Sequence, residues 1–309
     1  MSRARTFPLG IDLGDDRVRI ALVERTGDGD LALCAVASRP AAPDPCAALV
    51  DAFEELGTRE RRCVLAAAGR DALLRTATFP PLARRERERA ARFEASRSVP
   101  YPLDDAAVRV VPIDAQRCAI ATAPRADVQA RSALARRAGL RPVAVDHPAL
   151  ALLRAIPEAA AIVDVGAGAT ILIVRDEPVP TQRVMPIGGA SLTGAIADAL
   201  GVDRVTAEQR KRTMGMAGAG EHVRDALVEH LAQALAETRA AARADVTSLV
   251  LAGNGSRLAG FADALERAAG IPVMTASLHG THALPADVVR AASPDWALAY
   301  GLAMWECAA

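Results

Sequence analysis

The chain has 309 residues, enough for two hydrophobic cores of ordinary domain size, and 51% of them are hydrophobic but only 3% aromatic. Its 37 basic and 37 acidic residues leave no net charge, so overall electrostatics favours neither nucleic acid nor an anionic membrane surface as a partner. No apolar run approaches the length of a membrane span, and the five cysteines lie far apart without metal-ligand spacing, which predicts reduced thiols in a cytoplasmic protein.

The first predicted element is a β-hairpin with a carboxylate at its turn. Residues 9–13 and 18–23 read as apolar strands, and Asp12 and Gly14 form an Asp-x-Gly turn between them. Free backbone N–H groups and a carboxylate at such a turn suit a phosphate and its divalent cation.

Strands and helices then alternate, which is the pattern of an α/β fold. A third strand is predicted over residues 31–38, a helix over 46–56 and a strand over 63–68. A small insert follows, with predicted strands over 75–79, 108–113 and 117–122 and helices over 84–97 and 125–137. The main fold resumes with a strand over 142–146 and a helix after Pro148.

A second hairpin near mid-chain repeats the first. Residues 161–165 and 170–174 read as strands on either side of a turn that contains Asp164, Gly166 and Gly168. A duplication this widely separated indicates two similar halves rather than a solenoid. Two such turns facing each other would form a phosphate clamp.

The remaining elements follow the second hairpin. A helix is predicted over residues 191–200, with Ser191 as its N-cap and Gly201 as its C-terminal stop, and a long amphipathic helix over 221–244. Residues 248–252 read as a buried strand, 253–257 as a glycine-rich loop, 258–268 as a helix and 294–306 as a closing helix. The glycine loop would let the backbone approach a flat ligand, and a helix N-terminus after it favours negative charge.

These three motifs, in this order, resemble the phosphate-1, phosphate-2 and adenosine motifs of the actin-like ATPase superfamily. Residues 79–105, 207–215 and 293–303 further resemble the PilM family of type IV pilus assembly proteins, most specifically at VPYPLDD over residues 99–105. The resemblance implies an α/β, actin-like (ribonuclease H-like) two-domain fold with a small inserted α+β subdomain. The predicted divisions are 1–73 and 142–157 for the first half, 74–141 for the insert, 158–290 for the second half, and 291–309 for a closing helix that returns to the first half.

The resemblance also implies a site for ATP and Mg²⁺. Asp12 and Asp164 would hold Mg²⁺, and Asp164 would also be the catalytic carboxylate near the γ-phosphate. The other predicted cofactor-binding residues are Gly14, Asp15, Arg19, Gly166, Gly168, Thr170, Gly188, Gly189, Glu208, Lys211, Gly253, Asn254, Gly255, Ser256 and Arg257. For Glu208 and Lys211, expected at the ribose and base, the alternative is an exposed ion pair without a ligand role.

One departure from the family pattern affects the expected activity. Asp15 and Asp16 stand where relatives carry small or hydroxyl residues. A carboxylate about 4 Å from a phosphate charge costs on the order of 4 kcal/mol at the effective dielectric of a protein surface. Unless Mg²⁺ or Arg19 neutralises these side chains, nucleotide binding is expected to be weak and hydrolysis negligible.

The function implied by the resemblance is that of a cytoplasmic scaffold in type IV pilus assembly. Such a protein would hold the short cytoplasmic tail of a PilN-like bitopic inner-membrane protein in a groove beside the insert, and so lie at the inner membrane without spanning it. No nucleic-acid partner is expected, and self-association is left open.

Two alternatives belong to other functional classes. A small-molecule (sugar) kinase of the same superfamily would need a catalytic carboxylate and an acceptor pocket in the first half, and no residue suggests either. An FtsA-like filament protein should end in an amphipathic membrane helix, which the final residues 305–309 do not resemble.

Overall fold

The computed structural model describes residues 5–25, 31–176, 178–216, 218–241, 245–278 and 294–307. No helix within these ranges is long and apolar enough to cross a membrane. The strands are β1 Arg5–Thr6, β2 Leu9–Leu13, β3 Arg17–Arg25, β4 Leu31–Pro40, β5 Arg62–Ala66, β6 Leu73–Thr78, β7 Ala106–Pro112, β8 Arg117–Pro124, β9 Arg141–Asp146, β10 Ala161–Val165, β11 Thr170–Val174, β12 Thr181–Met185, β13 Leu249–Ala252 and β14 Val273–Thr275. The helices are α1 Pro45–Leu56, α2 Arg84–Ser96, α3 Arg125–Arg137, α4 Pro148–Ala155, α5 Gly189–Leu200, α6 Arg204–Met214, α7 Glu221–Ala241, α8 Phe261–Ala269 and α9 Ala297–Ala303.

The two halves repeat one sheet arrangement, as the duplicated hairpins predict. In the first half the order is β1-β3-β2-β5-β9, with β4 also paired to β3, and in the second it is β12-β11-β10-β13-β14. The first hairpin is antiparallel and β2 runs parallel to β5, while the second hairpin is antiparallel and β10 runs parallel to β13. Both Asp-x-Gly turns therefore lie at corresponding places in the two sheets.

Each half buries its apolar residues between its sheet and its helices. In the second half Leu227, Leu231 and Leu235 recur every four residues on α7 and are nearly inaccessible to solvent. They pack with Leu192 and Phe261 of α5 and α8 in one core. The predicted amphipathic stripe of α7 is thus core, and residues 242–244 of its predicted range lie outside the described residues.

The insert is a three-stranded sheet in the order β6-β8-β7, with α2 and α3 packed against it. Alanines on one face of α2, Ala91 and Ala95, meet Ile120 of β8 in a small core. Helix α3 also contributes Ala135 and Ala138 to the core of the first half. Residues 74–141 contain fourteen arginines and seven acidic residues, a formal charge of +7 in a neutral chain.

Three predicted helix starts are wrong. The closing helix α9 begins at Ala297 instead of 294, because Pro294–Trp296 form a 3₁₀ turn. Helix α5 begins at Gly189 with Gly188 as N-cap, two residues before the predicted Ser191, because the chain turns into the helix directly against the Gly166 loop. Helix α8 begins at Phe261 rather than 258, since residues 254–257 form a 3₁₀ turn and Gly260 adopts a left-handed conformation with φ of 74°. The glycine-rich loop therefore does not lead straight into a helix N-terminus.

Helix α9 closes the fold by packing against β2 and α4. Its approach is so close that a β-carbon on Gly10 would overlap the backbone of Ala299 and Ala303, and one on Gly301 would overlap the carbonyl of Ala151. Glycine at both positions is therefore a packing requirement.

We expect Gly301→Ala to lower the free energy of unfolding by about 3 kcal/mol, because α9 must shift away from α4 to admit the methyl group. Gly194→Ala, within α5, is the matched control. Its added β-carbon would lie 3.6 Å from the Arg204 guanidinium, an ordinary contact. That variant should gain about 0.5–1 kcal/mol from helix propensity. Urea unfolding followed by circular dichroism measures both, and a Gly301→Ala protein as stable as wild type would contradict the packing argument.

Candidate functional site

A cavity of about 780 Å³ lies between the two halves, and both Asp-x-Gly turns line it. Asp12 lies near the end of β2 and Gly14 in the turn after it, while Asp164 lies near the end of β10 and Gly166 and Gly168 in the turn after that strand. This volume falls within the range of roughly 300–1,000 Å³ that is usual for small-molecule sites. The other lining residues among those predicted are Asp15, Arg19, Gly189, Glu208, Lys211, Gly253, Asn254, Gly255 and Arg257.

Asp12 and Asp164 both line the part of the cavity that we call its floor. Burial raises the pKa of Asp164 to about 7, and the neighbouring charge of Asp12 adds to the increase, while Arg19 opposes it. Burial also raises the pKa of Asp12, against the opposing charge of Arg19. Both carboxyl groups therefore lie where burial disfavours their ionised, negatively charged form.

Arg19 is the buried cation of this floor. It lies on β3 directly opposite Asp12 in the strand register, and its side chain is only 6% exposed. Its Nη1 is 3.4 Å from Asp12 Oδ2 and 3.7 Å from Asp16 Oδ1, and its Nε is 3.9 Å from Asp295 Oδ2. Within the described residues that Nε has no hydrogen-bond acceptor.

Asp15 and Asp16, the two residues that depart from the family pattern, point to different places. Asp16 turns towards Arg19, whereas the exposed Asp15 reaches across the cavity and lies against Gly168 of the facing turn. A β-carbon on Gly168 would overlap Asp15 Oδ2. Of the two carboxylates, Asp15 is the one placed between the turns where phosphates are expected.

Helix α6 contributes a hydrogen-bonded pair to the opposite wall. Lys211 Nζ is 2.6 Å from Glu208 Oε2 and also donates to the carbonyl of Gly189 at 2.8 Å and to Thr193 Oγ1 at 2.7 Å. Burial would raise the pKa of Glu208, but hydrogen bonds from Lys211, Thr193 and Arg212 outweigh it and lower that pKa. The ion pair of the alternative hypothesis exists, but it is not exposed as that hypothesis expected: the Lys211 side chain is only 13% exposed, and both residues line the cavity.

The glycine-rich loop lies against the end of β10. Gly253 has φ of 75°, and a β-carbon there would approach Asp164 Oδ1 and the carbonyl of Val165. A β-carbon on Gly255 would overlap the side chain of Val165. These glycines are thus required by the neighbouring strand, and the exposed edge of the loop is presented to the cavity by Asn254 and Arg257.

Three predicted residues are not among the described residues that line the cavity. Thr170 is fully buried and donates its hydroxyl to the carbonyl of Ile187 at 2.7 Å, and Ser256 donates to the carbonyl of Gly253 at 2.7 Å. Gly188 packs against the backbone of the Gly166 turn. All three contact the backbone of the loops around the cavity and do not line the cavity itself.

The prediction omitted several residues that line the same cavity. Among the polar ones are Arg70, Arg131, Thr193, Arg204, Arg212 and Asp295. Most lie on loops or helix faces without a motif that would single them out. Asp295 falls in the stretch over 293–303 that carries part of the family resemblance, but its position beside Arg19 depends on how α9 packs.

A two-half α/β protein with a ligand-sized cleft between duplicated Asp-x-Gly turns has the actin-like fold. Residues 10–307 match the family model described as "Type IV pilus assembly protein PilM". The chain therefore belongs to the PilM family of type IV pilus assembly proteins.

Solved structures agree with this assignment. The chain is similar to one titled "PilM-PilN type IV pilus biogenesis complex", with a TM-score of 0.82 and 27% identity over 96% of this chain and 97% of that one. It shares the fold of ethanolamine utilization protein EutJ from Carboxydothermus hydrogenoformans, with a TM-score of 0.57 and 17% identity over 97% and 90% of the two chains. It also shares the fold of the activator of 2-hydroxyisocaproyl-CoA dehydratase from Clostridium difficile with bound ADPNP, with a TM-score of 0.50 and 12% identity over 97% and 93%. Comparison with curated protein sequences gave no significant match.

The residues of the cavity suit a nucleotide better than they suit Mg²⁺. The volume and the glycine turns fit a phosphorylated ligand. The carboxylate of Asp12, however, lies beside the Arg19 guanidinium. The place next to this carboxylate that a divalent cation would need is therefore already occupied by a positive charge. Within the described ranges, no group of three or more His, Cys, Asp or Glu side chains is placed to hold a metal ion.

Proposed function

We propose that this chain is a cytoplasmic scaffold of type IV pilus assembly that binds the cytoplasmic tail of a PilN-like bitopic inner-membrane protein. The observation that carries the proposal is the similarity, over nearly the whole of both chains, to the structure titled as a PilM-PilN complex. Family membership over residues 10–307 favours this function over the sugar kinase and filament alternatives. Binding of such a tail would hold the protein at the inner membrane.

We place the tail in a groove of about 430 Å³ between the insert and the second half. Strand β6 forms one wall with Leu74, Arg75 and Thr76, and residues 178–182, leading into β12, form the other. Among the described strands, β6 pairs only with β8 and β12 only with β11, so both present an unpaired edge to the groove. An extended peptide can add to such an edge through main-chain hydrogen bonds.

The polar lining of the groove suits a segment with free main-chain carbonyls. Arg75, Arg117 and Asp176 line it, and both arginines already pair with carboxylates of the insert, Glu94 and Asp114. Arg75 binds Glu94 and Ser98 through its terminal nitrogens, while its buried Nε has no acceptor among the described residues. A buried N–H without an acceptor costs free energy that a peptide carbonyl would recover.

We expect Thr76→Arg and Val179→Arg to weaken binding of the tail by about tenfold or more, because each places a long charged side chain in the groove. The measurement is fluorescence polarisation with a labelled peptide of the PilN-like tail encoded by the same genome. Point variants are preferable to deletion of residues 74–141, since α3 of the insert completes the core of the first half.

Val111→Arg is the matched control for these variants. Val111 lies on β7, the other edge strand of the same sheet, and is 48% exposed. The Val111→Arg protein should bind the tail as tightly as the wild-type protein does. Loss of binding in Val111→Arg, with normal binding in the two groove variants, would move the site to the opposite edge of the insert.

We further propose that the interdomain cavity binds a nucleotide weakly and does not turn it over. The lining combines glycine turns with seven cationic and seven acidic side chains, and the cationic ones are Arg19, Arg70, Arg131, Arg204, Lys211, Arg212 and Arg257. A fold relative was solved with ADPNP bound, which supports nucleotide binding as a property to test in this chain. Asp15 opposes it, because its carboxylate lies against the second phosphate turn.

Nucleotide binding has a direct chemical test, because Lys211 is the only lysine in the sequence. We expect ATP to slow reductive methylation of Lys211 severalfold, since the Nζ group faces the cavity. The α-amino group of the same molecule is the internal control and should react at the same rate with and without ATP. Mass spectrometry of the two peptides gives both rates, and equal protection of both amines, or of neither, would count against a nucleotide in this cavity.

We expect Asp15→Asn to tighten ATP binding by about tenfold, which corresponds to about 1.4 kcal/mol of repulsion relieved. The full interaction at 4 Å would be larger, but Asp15 is exposed and water screens its charge. Asp51→Asn, an exposed position on α1 away from the cavity, makes the same change in net charge and should leave the affinity unchanged. Isothermal calorimetry on the three proteins decides the matter, and an unchanged affinity in Asp15→Asn would show that its carboxylate does not oppose the phosphates.

A further inference from the structure

The floor of the cavity already contains a cation, the guanidinium of Arg19, which lies beside Asp12, one of the two carboxylates expected to bind Mg²⁺. Arg19 lies between Asp12, Asp16 and Asp295, with nitrogen-to-oxygen distances of 3.4, 3.7 and 3.9 Å. These carboxylates come from separate parts of the chain, namely the first hairpin and the segment before α9. The guanidinium is thus the shared counter-ion of the site.

The guanidinium and a divalent cation would compete for Asp12. Mg²⁺ requires oxygen ligands at about 2.0–2.1 Å in near-octahedral geometry and parts reluctantly with its water. Arg19 is nearly fully buried on a central strand of the sheet, so it has little room to leave. A second cation next to it would meet a like charge in a place where water screens weakly.

Arg19 also keeps one donor for a ligand. It lines the cavity, and its Nε has no hydrogen-bond acceptor among the described residues. Arginine suits phosphate recognition because its planar group offers several N–H donors and stays charged at all relevant pH values. An incoming phosphate oxygen would supply the missing acceptor.

We propose that Arg19 takes the place of the divalent cation, so that this cavity binds a nucleoside polyphosphate as the metal-free anion. The proposal rests on the nucleotide binding proposed above and specifies the form of the ligand. The proposal also explains how the three carboxylates around Arg19 can lie together without a metal ion, because the guanidinium supplies the positive charge.

The first test needs no variant. A fluorescent ATP analogue is titrated into the wild-type protein, once with EDTA and once with saturating Mg²⁺. We expect the two dissociation constants to agree within about twofold, or the EDTA value to be the lower one. Binding that is about tenfold or more tighter with Mg²⁺ overturns the proposal while leaving nucleotide binding in place.

Two substitutions then separate charge from shape. Arg19→Met replaces the charged side chain with an uncharged one of similar length. This variant should bind the analogue at least about tenfold more tightly with Mg²⁺ than with EDTA. Arg19→Lys keeps the charge and should remain independent of the metal. Circular dichroism checks that both are folded, and a folded Arg19→Met protein that binds equally with and without Mg²⁺ contradicts the proposal.

A nucleotide-free measurement distinguishes failure of this inference from failure of nucleotide binding. Mn²⁺ binding is followed by electron paramagnetic resonance in wild type, in Asp12→Asn and in Arg19→Met. We expect only Arg19→Met to bind Mn²⁺ at this site. If wild type binds one Mn²⁺ and Asp12→Asn loses it, Arg19 does not replace the cation. If no protein binds the analogue under any condition, the proposed nucleotide binding fails, and Arg19 is then only a structural counter-ion.

Discussion

The position of α9 is the constraint on which the rest of the cavity depends. The helix lies against β2 and α4 at a distance that only Gly10 and Gly301 permit. The residues just before it are thereby fixed between the halves: Pro294 accepts the Gly253 N–H at 3.0 Å, and Asp295 approaches both Arg19 and Arg257. The close packing of α9 thus fixes Asp295 beside Arg19 on the floor of the cavity.

The contact between Asp295 and Arg19 affects which ligand the two Asp-x-Gly turns can bind. In both halves a carboxylate ends a buried strand and faces the same space, as a clamp for a phosphate and its cation would require. Yet Asp12 lies beside an arginine, and burial raises the pKa of Asp164 to about 7. The scaffold of a phosphate site is retained, while the guanidinium of Arg19 supplies a positive charge to its floor from within the chain.

Much of the fold could be predicted from the sequence, and less of the site could. Strand alternation and two Asp-x-Gly turns are local signals, and they led to the correct fold class and to a set of predicted residues of which all but Thr170, Gly188 and Ser256 line the cavity. Tertiary contacts decide the rest. Ser191 is not the N-cap of α5, because the Gly166 loop meets the chain at Gly188, and Asp295 reaches Arg19 only after α9 has packed. No spacing along the sequence records either contact.

A scaffold that binds nucleotide without hydrolysing it needs less from its cavity than an enzyme does. Phosphoryl transfer depends on exact positioning and on neutralising the charge that develops in the transition state. Asp15, which lies against Gly168, opposes the second requirement. A bound nucleotide can still favour one arrangement of the two halves if it contacts that arrangement better, because only differential affinity shifts such an equilibrium. The groove beside β6 has one wall on the insert and the other on the second half, so the same arrangement sets its width. If the proposed nucleotide and peptide bind at these two places, their binding would be linked through one geometry, and neither role would require a chemical step.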